Sequence, residues 1–204
     1  LAPGFTSARH NLAVVLNRQG KAEAALAEVE RALAGEPRNP GYRNLKAAIL
    51  GRIGEYARSI EMYREVLAEY PGQAKAWMSY GHALKAAGRQ DEGIAAYRKS
   101  LELAPTCGET WWSLANLKTF RFSEAELLQF QRWLTETELS VEDRFHFHFA
   151  IGKALEDRGD WAGSFRHYAE GNRLRRETVH YDPDELTGLA ERSKALFSRQ
   201  FFEE

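Results

Sequence analysis

The chain of 204 residues is 44% hydrophobic, which is enough to bury a sizeable core and disfavours disorder. Its formal net charge of -1 gives no general attraction to nucleic acid or to an anionic membrane surface. The single cysteine, Cys107, excludes an internal disulfide and favours a reducing compartment. No apolar run approaches the roughly 18 residues of a membrane-spanning helix. These features predict a cytoplasmic protein without nucleic-acid or membrane partners.

Composition and the spacing of turn residues both predict helices. Alanine and leucine far outnumber the β-branched valine and isoleucine, which favours helix over sheet. Glycine tolerates the left-handed backbone that ends a helix, and proline cannot continue one. Each interval of 34 residues between prolines, with a glycine inside it, is therefore predicted to hold one helical hairpin. The prolines are Pro3, Pro37, Pro71 and Pro105, and the glycines are Gly20, Gly54 and Gly88.

The apolar residues inside each interval repeat with helical spacing. In the third interval, Trp77, Gly81 and Leu84 precede the turn glycine, and Tyr97 follows it on the second helix. This pattern resembles the tetratricopeptide repeat over residues 6–107. The resemblance implies an all-α fold, a right-handed superhelical solenoid of helix hairpins. Small residues at the corresponding position of each first helix would allow the paired helices to approach closely: Ala13, Ala47, Gly81 and Ala115.

The pattern loses its phase in the fourth interval and returns after residue 140. Residues 118–122 stand where the turn glycine is expected. Ser123 with Glu126 three residues later forms a capping-box pattern, which predicts a new helix through about Trp133. A similar start at Ser140 opens a fifth hairpin. An insertion in the fourth unit accounts for the change of phase.

The fifth hairpin and the C-terminal segment complete the predicted organisation. Gly152, Gly159, Trp161 and Tyr168 reproduce the order of small residue, turn and packing aromatics. Asp182, followed by proline, predicts the start of an amphipathic terminal helix. The predicted units are the end of an earlier repeat at 1–5, four repeats at 6–139 with a distorted fourth, a fifth hairpin at 140–178, and a C-terminal helix at 179–204 that leads to a further domain.

A search for catalytic chemistry finds no phosphate-binding glycine loop, no dinucleotide-binding GxGxxG and no nucleophile elbow. His146 and His148 lie two positions apart on a predicted helix, where side chains diverge by about 200°, so they are not expected to share a metal ion. Cys107 has no adjacent histidine or basic residue that would make it a nucleophile. The sequence therefore predicts a segment that is not an enzyme, without catalytic residues, metal or cofactor.

The candidate binding surface consists of the positions on the first helices that do not pack inside the hairpins. In a superhelix of such hairpins these helices line the concave side. Asparagine, arginine and lysine there suit an extended peptide, which they would bind through its backbone and carboxylates. The alternative is a solvated polar face without a ligand. The predicted concave face consists of Asn11, Asn17, Arg18, Asn44, Arg52, Lys75, Ser79, His82, Lys85, Trp112 and Asn116.

A receptor for chaperone tails is a more specific form of this hypothesis, and the sequence disfavours it. Repeats of that class grip two carboxylates with a clamp of lysine, asparagine and arginine. Lys75 fits the clamp, whereas its other positions hold His10, Val14, Leu45 and Ser79.

Three segments resemble a more specific family. Residues 113–122 read SLANLKTFRF, residues 149–161 read FAIGKALEDRGDW, and residues 168–176 read YAEGNRLRR. They resemble the region that precedes the catalytic domain of bacterial tetratricopeptide-repeat sulfotransferases. The resemblance implies that a domain binding 3′-phosphoadenosine 5′-phosphosulfate (PAPS) follows this segment. The PAPS-binding loop of that domain does not occur in residues 1–204, so no catalytic residue is assigned.

The resemblance also implies an intramolecular sulfotransferase domain as a partner. Basic residues at the end of the fifth hairpin would contact this domain or an acidic partner, or would form a solvated helix end that favours the helix dipole. The candidate docking residues are Arg173, Arg175, Arg176, Phe201 and Phe202.

Three hypotheses remain. The favoured one is a module that binds a protein or peptide substrate, or docks the catalytic domain, within a larger sulfotransferase. The second is a free-standing scaffold with an unrelated partner. The third, an enzyme complete in 204 residues, is disfavoured by the missing catalytic constellation.

Overall fold

This computed structural model describes residues 5–179 and 182–203, which form twelve α-helices and the turns between them. These residues contain no β-strand, and the prediction of an all-α solenoid is confirmed. The predicted end of an earlier repeat lies outside the described residues, except for Phe5. The helices are α1 (Thr6–Arg18), α2 (Ala22–Gly35), α3 (Pro40–Arg52), α4 (Tyr56–Glu69), α5 (Ala74–Ala86), α6 (Gln90–Leu103), α7 (Gly108–Ala115), α8 (Glu124–Glu136), α9 (Val141–Glu156), α10 (Trp161–Thr178), α11 (Pro183–Leu196) and α12 (Arg199–Glu203).

The turn glycines have the left-handed backbone predicted from the sequence. The φ angles are +78° at Gly20, +87° at Gly54, +78° at Gly88 and +79° at Gly159. No atom lies within 4 Å of the position that a Cβ would take at any of them. The backbone conformation, rather than close packing, therefore requires glycine at these turns.

Small residues on the first helix of a hairpin lie against aromatic residues on the second. A Cβ on Gly81 would lie 2.6 Å from the ring of Tyr97, and a Cβ on Gly152 would lie 2.9 Å from the ring of Tyr168. Both pairs have the same separation in the sequence. The hairpin of α9 and α10 therefore packs in the same register as the hairpin of α5 and α6.

The fourth unit departs from the others because its first helix is short. Helix α7 ends at Ala115, and Lys118 takes the left-handed conformation with φ 62°, alone among the described non-glycine residues. The capping box that opens α8 is confirmed. The Glu126 N–H donates to Ser123 Oγ (3.2 Å), and the Ser123 N–H donates to the Glu126 carboxylate (2.8 Å).

Helix α9 lies directly against α7, and Gly108 allows this close approach. A Cβ on Gly108 would lie 2.5 Å from the carbonyl oxygen of Asp143 and 3.0 Å from the Cβ of His146. The Gly108 N–H donates to Asp143 Oδ1 at 2.9 Å. The first turn of α7 is thus hydrogen-bonded to a side chain of α9.

The outer side of α10 corrects one prediction. Trp161, assigned to a packing position, is 69% exposed, and Phe165 is 73% exposed. Ile60, which corresponds to Phe165 in the second hairpin, is only 3% exposed because α5 packs against α4. Among the described residues, no following helix packs over Phe165 in the same way. The start of α11 is confirmed, since Asp182 Oδ1 accepts from the Asp184 N–H (2.9 Å), but α11 buries none of its residues.

Candidate functional site

The three regular hairpins form two layers of helices. Helix α3 contacts both α1 and α5, and these three form the first-helix layer; α2, α4 and α6 form the second-helix layer. Two adjoining cavities open between α3 and α5. Together they form the α3–α5 groove.

The first cavity, the α3–α5 pocket, has a volume of about 310 Å³. Ser59 and Tyr63 of α4 lie at its base, and Arg52 and His82 also line it. Tyr63 is buried and hydrogen-bonded to Ser79, and burial raises the pKa of Tyr63 to about 12. The walls of the pocket are made by small residues of the two facing helices: Ala48, Gly51, Ala83 and Ala86.

The second cavity, of about 470 Å³, continues the groove towards the N-terminal ends of α3 and α5. It shares Ala48, Tyr63 and Ser79 with the first cavity. Asn44 Nδ2 donates to the Gln73 side-chain oxygen at 2.7 Å within it. The groove thus combines amide and hydroxyl groups with small apolar side chains.

Five residues of the predicted concave face line this groove, and they come from both of its helices. They are Asn44, Arg52, Lys75, Ser79 and His82.

Arg52 also connects two hairpins. Its Nη1 donates to the carbonyl oxygen of Asn17 and to Asn17 Oδ1, the latter at 3.3 Å. The carbonyl oxygens of the last helical turn lack hydrogen-bond donors within the helix. Arg52 donates to one of these oxygens at the C-terminal end of α1. Arg52 and Asn17 therefore have a structural contact in addition to any role in binding.

His82 is held in place by two neighbours. Its Nε2 lies 3.0 Å from Ser113 Oγ, and its ring packs edge-on against Tyr97 at 5.4 Å. Burial on that side and the positive charge of Lys85 lower the pKa of His82. The imidazole is therefore neutral at pH 7 and acts as a hydrogen-bonding group.

The remaining predicted positions lie outside the groove. Asn11, Arg18 and Lys85 are exposed on α1 and α5, and Asn116 is exposed at the C-terminal end of α7. Trp112 is half-buried and packs on Phe149 of α9 at 5.4 Å. Because α9 lies directly against α7, this ring forms part of the contact between the two helices.

Charge is divided between the two layers of helices. Helices α1, α3 and α5 contain seven lysines and arginines and no aspartate or glutamate. Helices α2, α4 and α6 contain nine acidic and five basic residues. The basic residues of the first-helix layer are Arg9, Arg18, Arg43, Lys46, Arg52, Lys75 and Lys85.

Three of these cations form ion pairs with the second-helix layer. Arg9 lies 3.0 Å from Glu28, Arg43 lies 2.7 Å from Glu69, and Lys46 lies 2.8 Å from Glu30.

The other four cations all belong to the predicted concave face. Burial raises the pKa of Glu109, and the positive charge of the nearby Lys75 opposes part of this rise. Within the described residues, no carboxylate pairs with Arg18, Arg52 or Lys85. The first-helix layer therefore carries positive charge, in and beside the groove, that no carboxylate of the described residues pairs with.

Sequence reasoning missed the small residues that create the pocket. Ala48 and Gly51 correspond, one repeat earlier, to Val14 and Asn17. Ala83 and Ala86 correspond, one repeat later, to Leu117 and Phe120. These small residues stand at facing positions of two adjacent first helices, so the sequence itself contains a signal that could have predicted the pocket.

The candidate docking residues have contacts inside the chain. Arg173 pairs with Glu170 (2.7 Å) and Glu177 (2.5 Å), and the Arg175 guanidinium lies 5.0 Å from the ring centre of Phe145. Phe201 and Phe202 are exposed on α12, where both rings contact Phe197.

Two histidines that are distant in the sequence meet between α9 and α10. His148 Nδ1 lies 3.1 Å from His167 Nδ1, and burial together with this neighbour lowers the pKa of His148 to about 4. In the part of the chain that the structure describes, no three histidine, cysteine or acidic side chains form a group suited to a metal ion. No helix there is long and apolar enough to cross a bilayer.

The architecture and the groove define a helical-repeat protein, and comparisons with known proteins identify the type of repeat. Residues 44–106, from α3 to the end of α6, match the sequence model of the tetratricopeptide repeat. This part of the chain is thus similar to known tetratricopeptide repeats.

A curated relative shares the repeat over part of its length. Small glutamine-rich tetratricopeptide repeat-containing protein 2 of Mycosarcoma maydis is 31% identical over 83 residues. The alignment covers 41% of this chain and 24% of that protein, so the chain spans about a quarter of this relative.

Solved structures of MamA share the fold. Residues 41 to the end of MamA from Desulfovibrio magneticus RS-1 superpose with a TM-score of 0.58 at 16% identity, over 86% of this chain and 97% of that one. A second MamA structure gives 0.54 at 13% identity, over 87% and 98%. At such identity the likeness shows the fold alone.

Proposed function

We propose that this chain is a protein- or peptide-binding module that holds an extended segment of its partner along the first-helix layer. The observation that carries the proposal is the α3–α5 groove, in which five predicted ligand-facing residues surround two adjoining cavities. Clefts of a few hundred Å³ with a small number of polar groups are typical binding sites. We propose binding rather than catalysis for this segment, and a cytoplasmic location from its cysteine content.

A peptide library displayed on phage and selected on the purified chain tests this proposal. We expect enriched peptides to bind the wild-type chain and to bind the double variant Arg18→Glu, Lys85→Glu more weakly. Lys99→Glu, on the second-helix layer, is the control. Arg52 is left unchanged because its loss would also remove the bond to Asn17. Equal binding by the double variant and the wild type would contradict the assignment of this face.

We further propose that the module recruits a substrate for, or docks, a PAPS-dependent sulfotransferase domain. The resemblance at residues 113–122, 149–161 and 168–176 supports this, and so does the exposed apolar surface of α11 and α12, which includes Leu186 and Phe202. PAPS would bind in that domain. The coding sequence after the codon for Glu204 tests the proposal. An α/β nucleotide-binding domain there would support it, and a stop codon would favour a free-standing scaffold.

A further inference from the structure

The α3–α5 pocket is suited to a single large side chain of a bound segment. A benzene molecule fills a cavity of about 150 Å³. The pocket, at about 310 Å³, has room for an aromatic ring and for the atoms that join it to a peptide backbone. Its walls are Ala48, Ala83 and Ala86, and the ring of Tyr63 lies at its base. Anchor side chains that fill such pockets supply much of the affinity of peptide complexes.

The pocket is local to one interval of the solenoid. It opens where Ala48 and Gly51 of α3 face Ala83 of α5. The next first helix, α7, ends at Ala115, before positions 117 and 120 that correspond to Ala83 and Ala86, so the same facing small residues do not recur between α5 and α7. A bound segment is therefore anchored between the second and third hairpins.

The charges of the first-helix layer determine which residues can flank the anchor. Helices α1, α3 and α5 contain no acidic residue, and Arg18, Arg52 and Lys85 lack a carboxylate partner in the described part of the chain. Complementary charge speeds association and selects partners, whereas like charges facing each other oppose binding. The neighbouring Asn44 and Gln73 amides suit hydrogen bonds to an extended backbone.

We propose that the groove binds an extended acidic segment of a partner protein, with one aromatic or large aliphatic side chain inserted into the α3–α5 pocket. The proposal rests on the proposed function and specifies the chemistry of the partner. The near-neutral net charge of the chain conceals this preference, because the acidic residues of the second-helix layer offset the basic residues of the first-helix layer.

The phage-displayed random library provides the first test. We expect selected peptides to be rich in aspartate and glutamate around one phenylalanine, tryptophan, tyrosine or leucine. One selected peptide, synthesised with a fluorescent label, then serves as the probe. Its affinity should fall as salt is raised, because the attraction is between exposed charges.

A matched pair of variants tests the pocket. Ala48→Leu fills it from an exposed position on α3, and Ala27→Leu places the same side chain at an exposed position on α2. Neither change should alter the melting temperature. Excluding a large apolar anchor should weaken binding of the labelled peptide about 10- to 100-fold in Ala48→Leu. Ala27→Leu should bind as the wild type does.

The outcomes separate this inference from the proposed function. If no peptide is enriched on the wild-type chain, the proposed function fails. If peptides are enriched but are basic or neutral, the acidic preference is wrong while binding stands. If Ala48→Leu and Ala27→Leu bind the labelled peptide equally, the anchor is not in the α3–α5 pocket.

Discussion

Replacing Gly108 with alanine should separate α7 from α9. The added Cβ would lie 2.5 Å from the carbonyl oxygen and 2.8 Å from the Cα of Asp143. Both are backbone atoms in the first turn of α9, so no side-chain rotation can relieve the overlap. One helix must move.

The magnitude follows from two losses and one small gain. Overpacking at a close contact costs about 1–3 kcal/mol. The bond from the Gly108 N–H to the Asp143 carboxylate, at 2.9 Å, would weaken as the helices separate, at a cost of about 1 kcal/mol. Alanine offsets up to about 1 kcal/mol through its higher helix propensity. The free energy of unfolding should therefore fall by about 1–4 kcal/mol.

Urea denaturation, followed by tryptophan fluorescence, measures this change. With a slope of about 2 kcal/mol per molar, the midpoint should fall by about 0.5–2 M. Gly72→Ala is the control, because a Cβ there meets no atom within 4 Å. It should shift stability by less than about 0.5 kcal/mol. Equal midpoints for the two variants would refute the argument that backbone contact at Gly108 fixes the distance between α7 and α9.

Four further predictions concern buried polar groups and one turn. Tyr97→Phe should raise the unfolding free energy by about 1 kcal/mol, because the buried Tyr97 hydroxyl has no hydrogen-bond partner among the described residues. Tyr168→Phe should lower it by about 1 kcal/mol, since that hydroxyl donates to a glutamate at 2.9 Å; denaturant titration of the two variants compares them. Lys118→Gly should raise the thermal midpoint by relieving a left-handed backbone that costs about 1 kcal/mol in other residues; an unchanged midpoint would contradict this. His148 has its pKa lowered to about 4 in the folded chain, so the unfolded chain binds protons first, and stability should fall as the pH drops from about 6.5 towards 4. Calorimetry at several pH values should show a loss of about 1–2 kcal/mol by pH 5, and the double variant His148→Gln, His167→Gln should lack most of it.

The regular hairpins could be predicted from the sequence because their signals are local. Gly20, Gly54 and Gly88 each end a first helix in the left-handed conformation that glycine spacing indicates. The capping box at Ser123 likewise needs only four residues to specify the start of α8. Helix starts and turns of this kind depend on the conformations of neighbouring residues, which a short window contains.

The contacts that shape the site could not be predicted in this way. The direct packing of α9 on α7 depends on Gly108 and Asp143, which meet only after the distorted fourth unit has folded. Trp161 shows the converse error, because an aromatic residue in repeat register was assumed to be covered. Whether a side chain is buried depends on whether a neighbouring unit packs over it. Periodicity alone does not show that such a unit is present.

The division of charge between the two layers of helices is present in the sequence, but the net charge of the whole chain does not reveal it. Summed over the whole chain, the charge is -1 and indicates nothing about a partner. Summed helix by helix in the two layers, it separates into a wholly basic set and a predominantly acidic set. Summing the charge over each structural layer therefore indicates the charge of a partner, which the net charge of the whole chain does not.

This separation of charge also gives the three regular hairpins an electric dipole moment directed across the thickness of the solenoid. A charged molecule approaching from solution would exert a torque on it and would turn its basic side towards an anion before any contact forms. Orientation of this kind needs no net charge, so it would persist near the isoelectric point and fade only when salt shortens the range of the field.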